Sequence, residues 1–549
     1  MEFAEFFSLD KIHFLIALLI SVINAVLLVL IAKKFLQILQ ISGYKIRGYA
    51  VWLADTKAKY LSRILMLCFL SLASVLVTNA LFDVANNHLE FSYFGLIFYV
   101  YFSIVFIINM VKMPQKTPLV QTRRMSRITT LLFLICFVTS LFLIWLADAY
   151  LPFLSTGVIT LTPILLPIFV PLVHFILVPL EWLIRQNYII RARRKLAKMP
   201  NLIKIGITGS FGKTSVKHIL NIMLSQKYDV CMSPHSFNTP MGLTKVILKY
   251  LKPDNQILIA EMGARQIGDI SYLCKLIEPQ HGIITGIGLQ HFETFGSEEN
   301  IIKTKNELVL ALPQDAVIVF NGDSKNSKLL FKECENKNKF LVSLGKKSEV
   351  EVENVEFSKN GIKFDLKYKD ESVSCQTNLL GQHNLLNILL SASMAIKLDL
   401  NLEQISNAIK ELEPINHRLQ PIQKDNMIIL DDAYSSNEEG AKAALDVLKT
   451  FDDKIKICIT PGIVELGKEE GRINENFGKL LAKTCDFVII VNKVNAESLK
   501  KGLISGKFSE GKIIFTENLE EAKQKLNQLI KPDEQYVVLF ENDLPDNYT

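Results

Sequence analysis

Hydrophobic and polar positions follow two regimes along the chain. Through roughly the first third, unbroken apolar stretches occupy residues 12–31, 64–82, 93–111, 128–147 and 158–180. Each is close to the ~20 residues a helix needs to cross a hydrocarbon core about 30 Å thick. This pattern predicts an α-helical transmembrane bundle of five helices within residues 1–185. Beyond residue 200 the pattern changes to short apolar runs alternating with amphipathic ones: KIGIT, VKHILNIML, QILIAEMGA and GIITGIG, then KIKICIT, FGKLLAKT, FVIIVNK, AESLKKGL, KIIFT, LEEAKQKLNQLI and YVVLF. Strands that alternate with helices predict α/β structure built on parallel sheets.

Composition sharpens the division. The 549 residues are 49% hydrophobic and 21% charged, with a formal net charge of +6, and the mean hydropathy is +0.25. The apolar excess is confined to the first third, which excludes both a wholly soluble enzyme and a pure membrane channel. The N-terminus does not read as a cleavable signal, because Glu2, Glu5 and Asp10 make it acidic while Lys33 and Lys34 follow the first apolar run. Basic residues crowd alternate loops: Lys33, Lys34, Lys45, Arg47, Lys57, Lys59 and Arg63, then Lys112, Lys116, Arg123, Arg124 and Arg127, whereas 83–92 and 148–157 contain neither Lys nor Arg. The N-terminus is therefore expected outside, with the basic linker 186–200 and everything after it in the cytoplasm. The spans carry His13, His174, a few hydroxyls and Pro163, Pro167, Pro171 and Pro179, a set that suits an anchor with one kinked helix better than a transport pathway. A lipid bilayer is the expected partner, and no nucleic acid is. The eight scattered cysteines contain no C-x-x-C pair, consistent with a reducing compartment and no structural zinc.

Candidate chemistry begins where the first α/β strand ends. Residues 209–215 read Gly-Ser-Phe-Gly-Lys-Thr-Ser between the KIGIT run and a helical pattern. Strand, glycine turn and helix start form a phosphate cradle, because bare backbone N–H groups and the positive helix end face the anion. Gly209, Ser210, Gly212, Lys213, Thr214 and Ser215 are thus candidate nucleotide-binding residues. Lys213 would reach terminal phosphate oxygens, and Thr214 or Ser215 would ligate Mg²⁺. The strict G-x-x-x-x-G-K-[ST] spacing is not met, since Ile207 stands at its first position. Glu261 closes the QILIAE run and His291 follows GIITGIG. A carboxylate at the carboxyl end of a parallel strand lies at the same sheet edge as a phosphate loop, which makes Glu261 a natural Mg²⁺ ligand.

Seven separated blocks, GITGSFGKTS, FNTPMGLT, EMGARQIGDI, GIGLQHFETFGSEENIIKTKNEL, GQHNLLN, NHRLQP and DDAYSSNEEGAKAAL, together resemble the Mur ligase family over about residues 200–549. They are most similar to its D-alanyl-D-alanine-adding branch. The resemblance implies a central ATP-binding domain at 201–412 (a parallel sheet with a phosphate loop) and a Rossmann-like C-terminal domain at 413–549. The activity it implies is ATP-dependent amide formation: the carboxylate of a UDP-linked peptidoglycan precursor attacks the γ-phosphate, and D-Ala-D-Ala or another amine attacks the resulting acyl phosphate. It also implies two Mg²⁺ ions held by Thr214, Glu261, His291 and a carbamylated Lys305, the catalytic set being Lys213, Lys305 and His291. Asn384 and Asn387 would contact adenine, Arg418 the phosphates and Asp432 the ribose, with Asn238, Thr239 and Asn437 near the substrates. Thr239 stands where this branch often has a second asparagine. The helical region occupies the place of the family's UDP-binding domain, which leaves a lipid-linked precursor as the alternative substrate and other membrane cell-wall enzymes as possible partners.

Overall fold

The computed structural model describes residues 11–55, 59–83, 94–111, 118–150, 157–234, 236–345, 348–434 and 437–543. The acidic start 1–10, Lys57, Lys112, Lys116 and most of the two loops that contain neither Lys nor Arg lie outside the described residues. The chain divides after Ile184 into two compact units.

The first unit contains α1 (Lys11–Ile31), α2 (Lys33–Ile41), α3 (Ile46–Asp55), α4 (Lys59–Asp83), α5 (Phe94–Val111), α6 (Arg123–Tyr150), a 3₁₀ stretch Val158–Leu165 and the start of α7 (Leu166–Ala197). Among the described residues, four stretches are long and apolar enough to cross a membrane, Phe14–Ile31, Tyr60–Leu81, Arg123–Ala147 and Val158–Ala197, while Gly95–Met110 is a shorter apolar helix. Helices α2 and α3 fall in what reads as a basic loop. Phe35, Leu36, Ile38 and Leu39 bury one side of α2 despite Lys33 and Lys34 at its start, and an apolar stripe of that kind is enough to fold a short helix onto its neighbours. Of the four prolines, Pro163 sits in the 3₁₀ stretch, Pro167 in the first turn of α7, where a missing N–H has no partner to lose, and Pro171 and Pro179 inside α7.

Polarity in this unit is inverted. Large apolar side chains point outward, Phe69 at 70% exposure and Phe175 at 67%, while Ser21, Asn24, Ser71, Ser103, Ser140 and Thr162 are buried. Asn24 is the hub of the interior: its Nδ2 donates to Ser140 Oγ at 2.8 Å and Thr162 Oγ1 at 3.1 Å, and its Oδ1 accepts from the Tyr99 hydroxyl at 2.7 Å. One amide thereby joins α1, α5, α6 and the 3₁₀ stretch.

The second unit is α/β. Strands β1 (Ile203–Thr208), β2 (Val230–Met232), β3 (Ile257–Glu261), β4 (His281–Ile284), β5 (Ile318–Asn321) and β6 (Lys339–Val342) form a parallel sheet in the order β2-β3-β1-β4-β5-β6. Its central strands read as continuous apolar runs because both faces are covered. The β-rich stretch becomes β7 (Val350–Ser358), β8 (Gly361–Tyr368) and β9 (Glu371–Thr377), a three-stranded antiparallel sheet. A second six-stranded sheet contains β10 (Gln420–Lys424), β11 (Met427–Asp432), β12 (Ile455–Thr460), β13 (Phe487–Val491), β14 (Ile513–Thr516) and β15 (Tyr536–Glu541), in the order β10-β11-β15-β12-β13-β14. It is parallel except for β10, which pairs antiparallel with β11. The helices that matter below are α8 (Lys213–Leu224), α9 (Glu298–Ala311), α10 (Gln382–Lys397) and α11 (Glu438–Lys449).

The stretch 186–200, expected as a linker, is helical to Ala197 as the end of α7. Ile189, Ala192 and Leu196 recur at helical spacing and are buried in the core that also holds Leu258 and Ile277. Arg193 and Lys195 then donate to the carbonyls of Lys275 and Leu251, so the charges that suggest a solvated linker decorate a docked helix.

Candidate functional site

The register sets the site. Ile207 pairs with Glu261 and Thr208 with Ile284, so the carboxyl ends of β3, β1 and β4 lie side by side with the phosphate loop between them. Gly212 adopts φ +81°, and a Cβ there would lie 2.9 Å from Asn387 Oδ1, so the turn needs glycine both for its angle and for its close approach to α10. Ser210 braces the loop: its N–H donates to Gly286 O at 2.6 Å and its Oγ to Gly288 O at 2.9 Å. Lys213 Nζ donates to the carbonyls of Gly209 and Ser210, each at 2.8 Å. Burial pulls its pKa down to about 8, with Glu261 opposing and Arg418 adding to the shift. Arg418, in the bend just before β10, lines the same pocket as Ser215 of the phosphate loop.

Glu261 is the most heavily engaged carboxylate. Thr214 Oγ1 donates to its Oε2 at 3.1 Å, Lys217 Nζ lies 3.0 Å from the same oxygen, and Asn238 Nδ2 donates to its Oε1 at 3.0 Å. Burial would raise the carboxyl, but Lys217 and then Lys213 outweigh it and hold Glu261 below the usual carboxylate range. Asn238, expected near substrate, is thus a partner of Glu261. The Thr239 hydroxyl accepts from Gly242 N at 3.2 Å and caps the next helix.

Lys305, on α9, is 3% exposed and has no carboxylate or hydrogen-bond acceptor paired with it among the described residues. Burial first, and the Lys213 charge next, pull its pKa down to about 7 against the opposing Asp269 and Glu307 charges. Neighbouring Lys303 faces solvent, so the helix itself distinguishes the two lysines. His291 adopts a left-handed φ of +56°, a conformation retained by non-glycine residues where surrounding structure enforces it. Its Nδ1 is hydrogen bonded to Glu465, in the loop after β12.

Two hard oxygens, Thr214 Oγ1 and Glu261 Oε2, converge at one point, a donor set that fits Mg²⁺ completed by phosphate oxygens and water. Among the described residues no three His, Cys, Asp or Glu side chains gather at one point.

Beside the loop is a small, partly open pocket lined by Ser215, Ile219, Ile222, Asn384, Leu412 and Arg418, among others. Asn384 therefore borders the pocket, whereas Asn387 abuts Gly212. Its lining mixes apolar side chains with Ser215, His218, Asn384, Glu413 and Arg418. Asp432 accepts from Leu419 N at 3.1 Å and so pins the Arg418 segment. Burial raises its pKa to about 6, and Glu541, fully buried and in register with it, is pushed up by burial and then by the Asp432 charge. Asn437 caps α11, its Oδ1 accepting from Gly440 N at 2.7 Å. Asn437→Ala is accordingly expected to cost about 1 kcal/mol in denaturant unfolding and Asn437→Asp much less; equal stabilities would rule out the cap.

Two site residues are absent from the sequence expectations. Lys217 lies one helical turn after Lys213, among buried Val216, Ile219 and Leu220, and no local pattern separates it from a solvated lysine. Glu465 lies in a loop with no periodicity to mark it.

Comparison with known proteins agrees with this geometry. The Mur ligase middle domain model matches residues 207–395, and the Mur ligase glutamate ligase domain model matches 417–540. The chain belongs to the Mur ligase family. Similar relatives include the UDP-N-acetylmuramoyl-tripeptide–D-alanyl-D-alanine ligases of Haemophilus influenzae, 26% identical over 55% of this chain and 66% of that protein, and of Escherichia coli, 28% identical over 53% and 64%. The match thus spans just under two thirds of those curated relatives. Among solved structures, MurF of Acinetobacter baumannii shares the fold at a TM-score of 0.60 and 24% identity, covering 65% of this chain and 77% of that one. MurF of Thermotoga maritima in complex with ADP matches at 0.58 and 25%, covering 65% and 80%.

Proposed function

We propose that the chain is an ATP-dependent, ADP-forming amide ligase of peptidoglycan precursor synthesis, adding D-alanyl-D-alanine to UDP-N-acetylmuramoyl tripeptide. The observation that carries this reading is the meeting of Lys213, the Thr214–Glu261 pair and Arg418 around one phosphate loop, in a chain whose Mur ligase relatives carry that activity in their names. The precursor carboxylate attacks the γ-phosphorus of ATP and ADP leaves. The amine then attacks the acyl phosphate carbon and phosphate leaves. No protein nucleophile is required, and the residues position reactants and offset phosphate charge. Lys213 and Arg418 meet phosphate oxygens, Ser210, Gly209, Gly212 and Ser215 shape the cradle, and Asn384 with Asn387 borders the adenine side. Asp432 holds Arg418 in place beside the ribose, and Asn238, Thr239 and Asn437 lie toward the precursor and amine. Thr214 and Glu261 would hold one Mg²⁺, and His291 with carbamylated Lys305 a second; the ions neutralise phosphate charge. A lysine lowered to about 7 is substantially neutral at physiological pH, and the neutral amine is the form that adds CO₂.

The first unit serves as a multi-pass anchor in the cytoplasmic membrane, with the N-terminus outside and the ligase in the cytoplasm. Outward apolar and inward polar side chains support that reading, as do the four long apolar stretches. The same inverted bundle, preceding the ATP-binding domain, favours a second reading in which the acceptor is lipid-linked.

The test uses full-length protein in detergent. ADP release is expected with UDP-muramoyl tripeptide plus D-Ala-D-Ala, and not with either alone. Turnover confined to a lipid-linked precursor would replace the first reading with the second, and turnover with single amino acids would change the amine.

A further inference from the structure

The loop after β12, residues 461–467, is anchored to an unusual degree. Asn474, fully buried, accepts from Ile463 N at 2.8 Å and donates to Ile463 O at 2.8 Å and Glu470 O at 2.9 Å. Asn495 donates to the carbonyls of Pro461 and Ile463, and Asn542 to Gly462 O at 2.7 Å. Gly462 is at φ +85° with Asn474 Oδ1 only 2.5 Å from where a Cβ would stand, so the backbone path admits no larger residue without rearrangement. These restraints hold Glu465 at φ +63°, a conformation that costs a non-glycine residue on the order of 1 kcal/mol.

What the loop presents is one carboxylate, and it points at the other domain. Glu465 is hydrogen bonded to His291 Nδ1, lies 4.0 Å from the Arg265 guanidinium, and accepts through its own carbonyl from Glu293 N at 3.3 Å. A carboxylate has only acceptor capacity, so Nδ1 carries the hydrogen, and in the neutral ring Nε2 is the nitrogen left to bind a metal. That arrangement fixes a histidine for use through its second nitrogen, as carboxylates behind metal-bound histidines do.

We infer that Glu465 is a positioning residue that orients His291 from across the domain boundary, so that the ring is aimed for metal binding only when the two domains are docked. The inference rests on the proposed ligase reading, in which His291 helps hold a divalent ion. Contributions from both domains give the ion site a built-in dependence on docking. The charge of Glu465 is secondary to its acceptor oxygen, because Arg265 is two-thirds exposed and screened.

The test measures Mn²⁺ binding by electron paramagnetic resonance in full-length protein with ADP, alongside the His291 ¹⁵N spectrum. Glu465→Ala is expected to weaken Mn²⁺ binding by about 10- to 100-fold and to release the Nδ1–H tautomer. Glu465→Gln retains an acceptor oxygen and is expected to recover most of both. Wild-type Mn²⁺ affinity in Glu465→Ala would overturn the inference, as would an effect confined to the amine KM. Glu465→Gln also answers the question if the alanine variant does not fold, since loss of the tautomer despite a retained acceptor contradicts the role assigned. Wild-type protein that binds no Mn²⁺ with ADP would overturn the ligase site itself and this inference with it, a result distinct from the other two.

Discussion

Lys305→Ala is expected to lower ADP release by about 10²- to 10³-fold, the usual cost of removing one group that meets developing charge, and to regain part of it when formate or acetate is supplied. The reason is the setting of the amine. It is 3% exposed, unpaired among the described residues, and lowered to about 7 chiefly by burial. An ammonium there is unfavourable, whereas a carbamate supplies a hard anionic oxygen for a divalent cation. The pH dependence has a definite sign. Below about 7 both folded and unfolded chains bind the proton and the burial cost is fully present; between about 7 and the ordinary lysine value of 10.5 the unfolded chain holds a proton the folded one has lost, so stability rises with pH across that window. Carbamate measured with ¹³C-bicarbonate should fall as pH drops through 7. Full activity in Lys305→Ala without added carboxylate would remove Lys305 from the site.

Lys217→Met is expected to destabilise the second unit by about 3–5 kcal/mol, because it leaves Glu261 as a buried carboxylate without its closest cation. Lys217 and Glu261 are 0% and 1% exposed with Nζ and Oε2 3.0 Å apart. Adding Glu261→Gln to Lys217→Met should return part of the loss, since it removes the stranded charge. Chemical denaturation of the four proteins gives the coupling directly. Additive losses would show that the pair does not act as a unit.

These two lysines show how far the residues could be read without the fold. The phosphate loop was legible because glycine, lysine and hydroxyl sit between an apolar run and a helical one, and Glu261 because it ends an apolar run. Lys305 could be chosen over Lys303 only through the family resemblance, and its burial on α9 supplies the missing physical reason. Lys217 was not legible, because a lysine within VKHILNIML reads as a solvated position until Glu261 is seen beside it. Glu465 meets His291 from 174 residues away, a separation no local pattern reports. In the first unit apolar length sufficed to locate the long helices. Helix α2 and the end of α7 were obscured because Lys33, Lys34 and the arginines of 185–194 dominate thin stripes such as Ile189, Ala192 and Leu196.

The most direct test of ligase chemistry follows an oxygen atom. UDP-muramoyl tripeptide carrying ¹⁸O in its terminal carboxylate is incubated with full-length protein, ATP and D-Ala-D-Ala, and the released phosphate is analysed by mass. Attack of the carboxylate on the γ-phosphorus transfers one ¹⁸O to each phosphate as the amide forms, and that is the result expected. Phosphate bearing only solvent oxygen, or release of pyrophosphate in place of ADP and phosphate, would contradict the acyl-phosphate ligase.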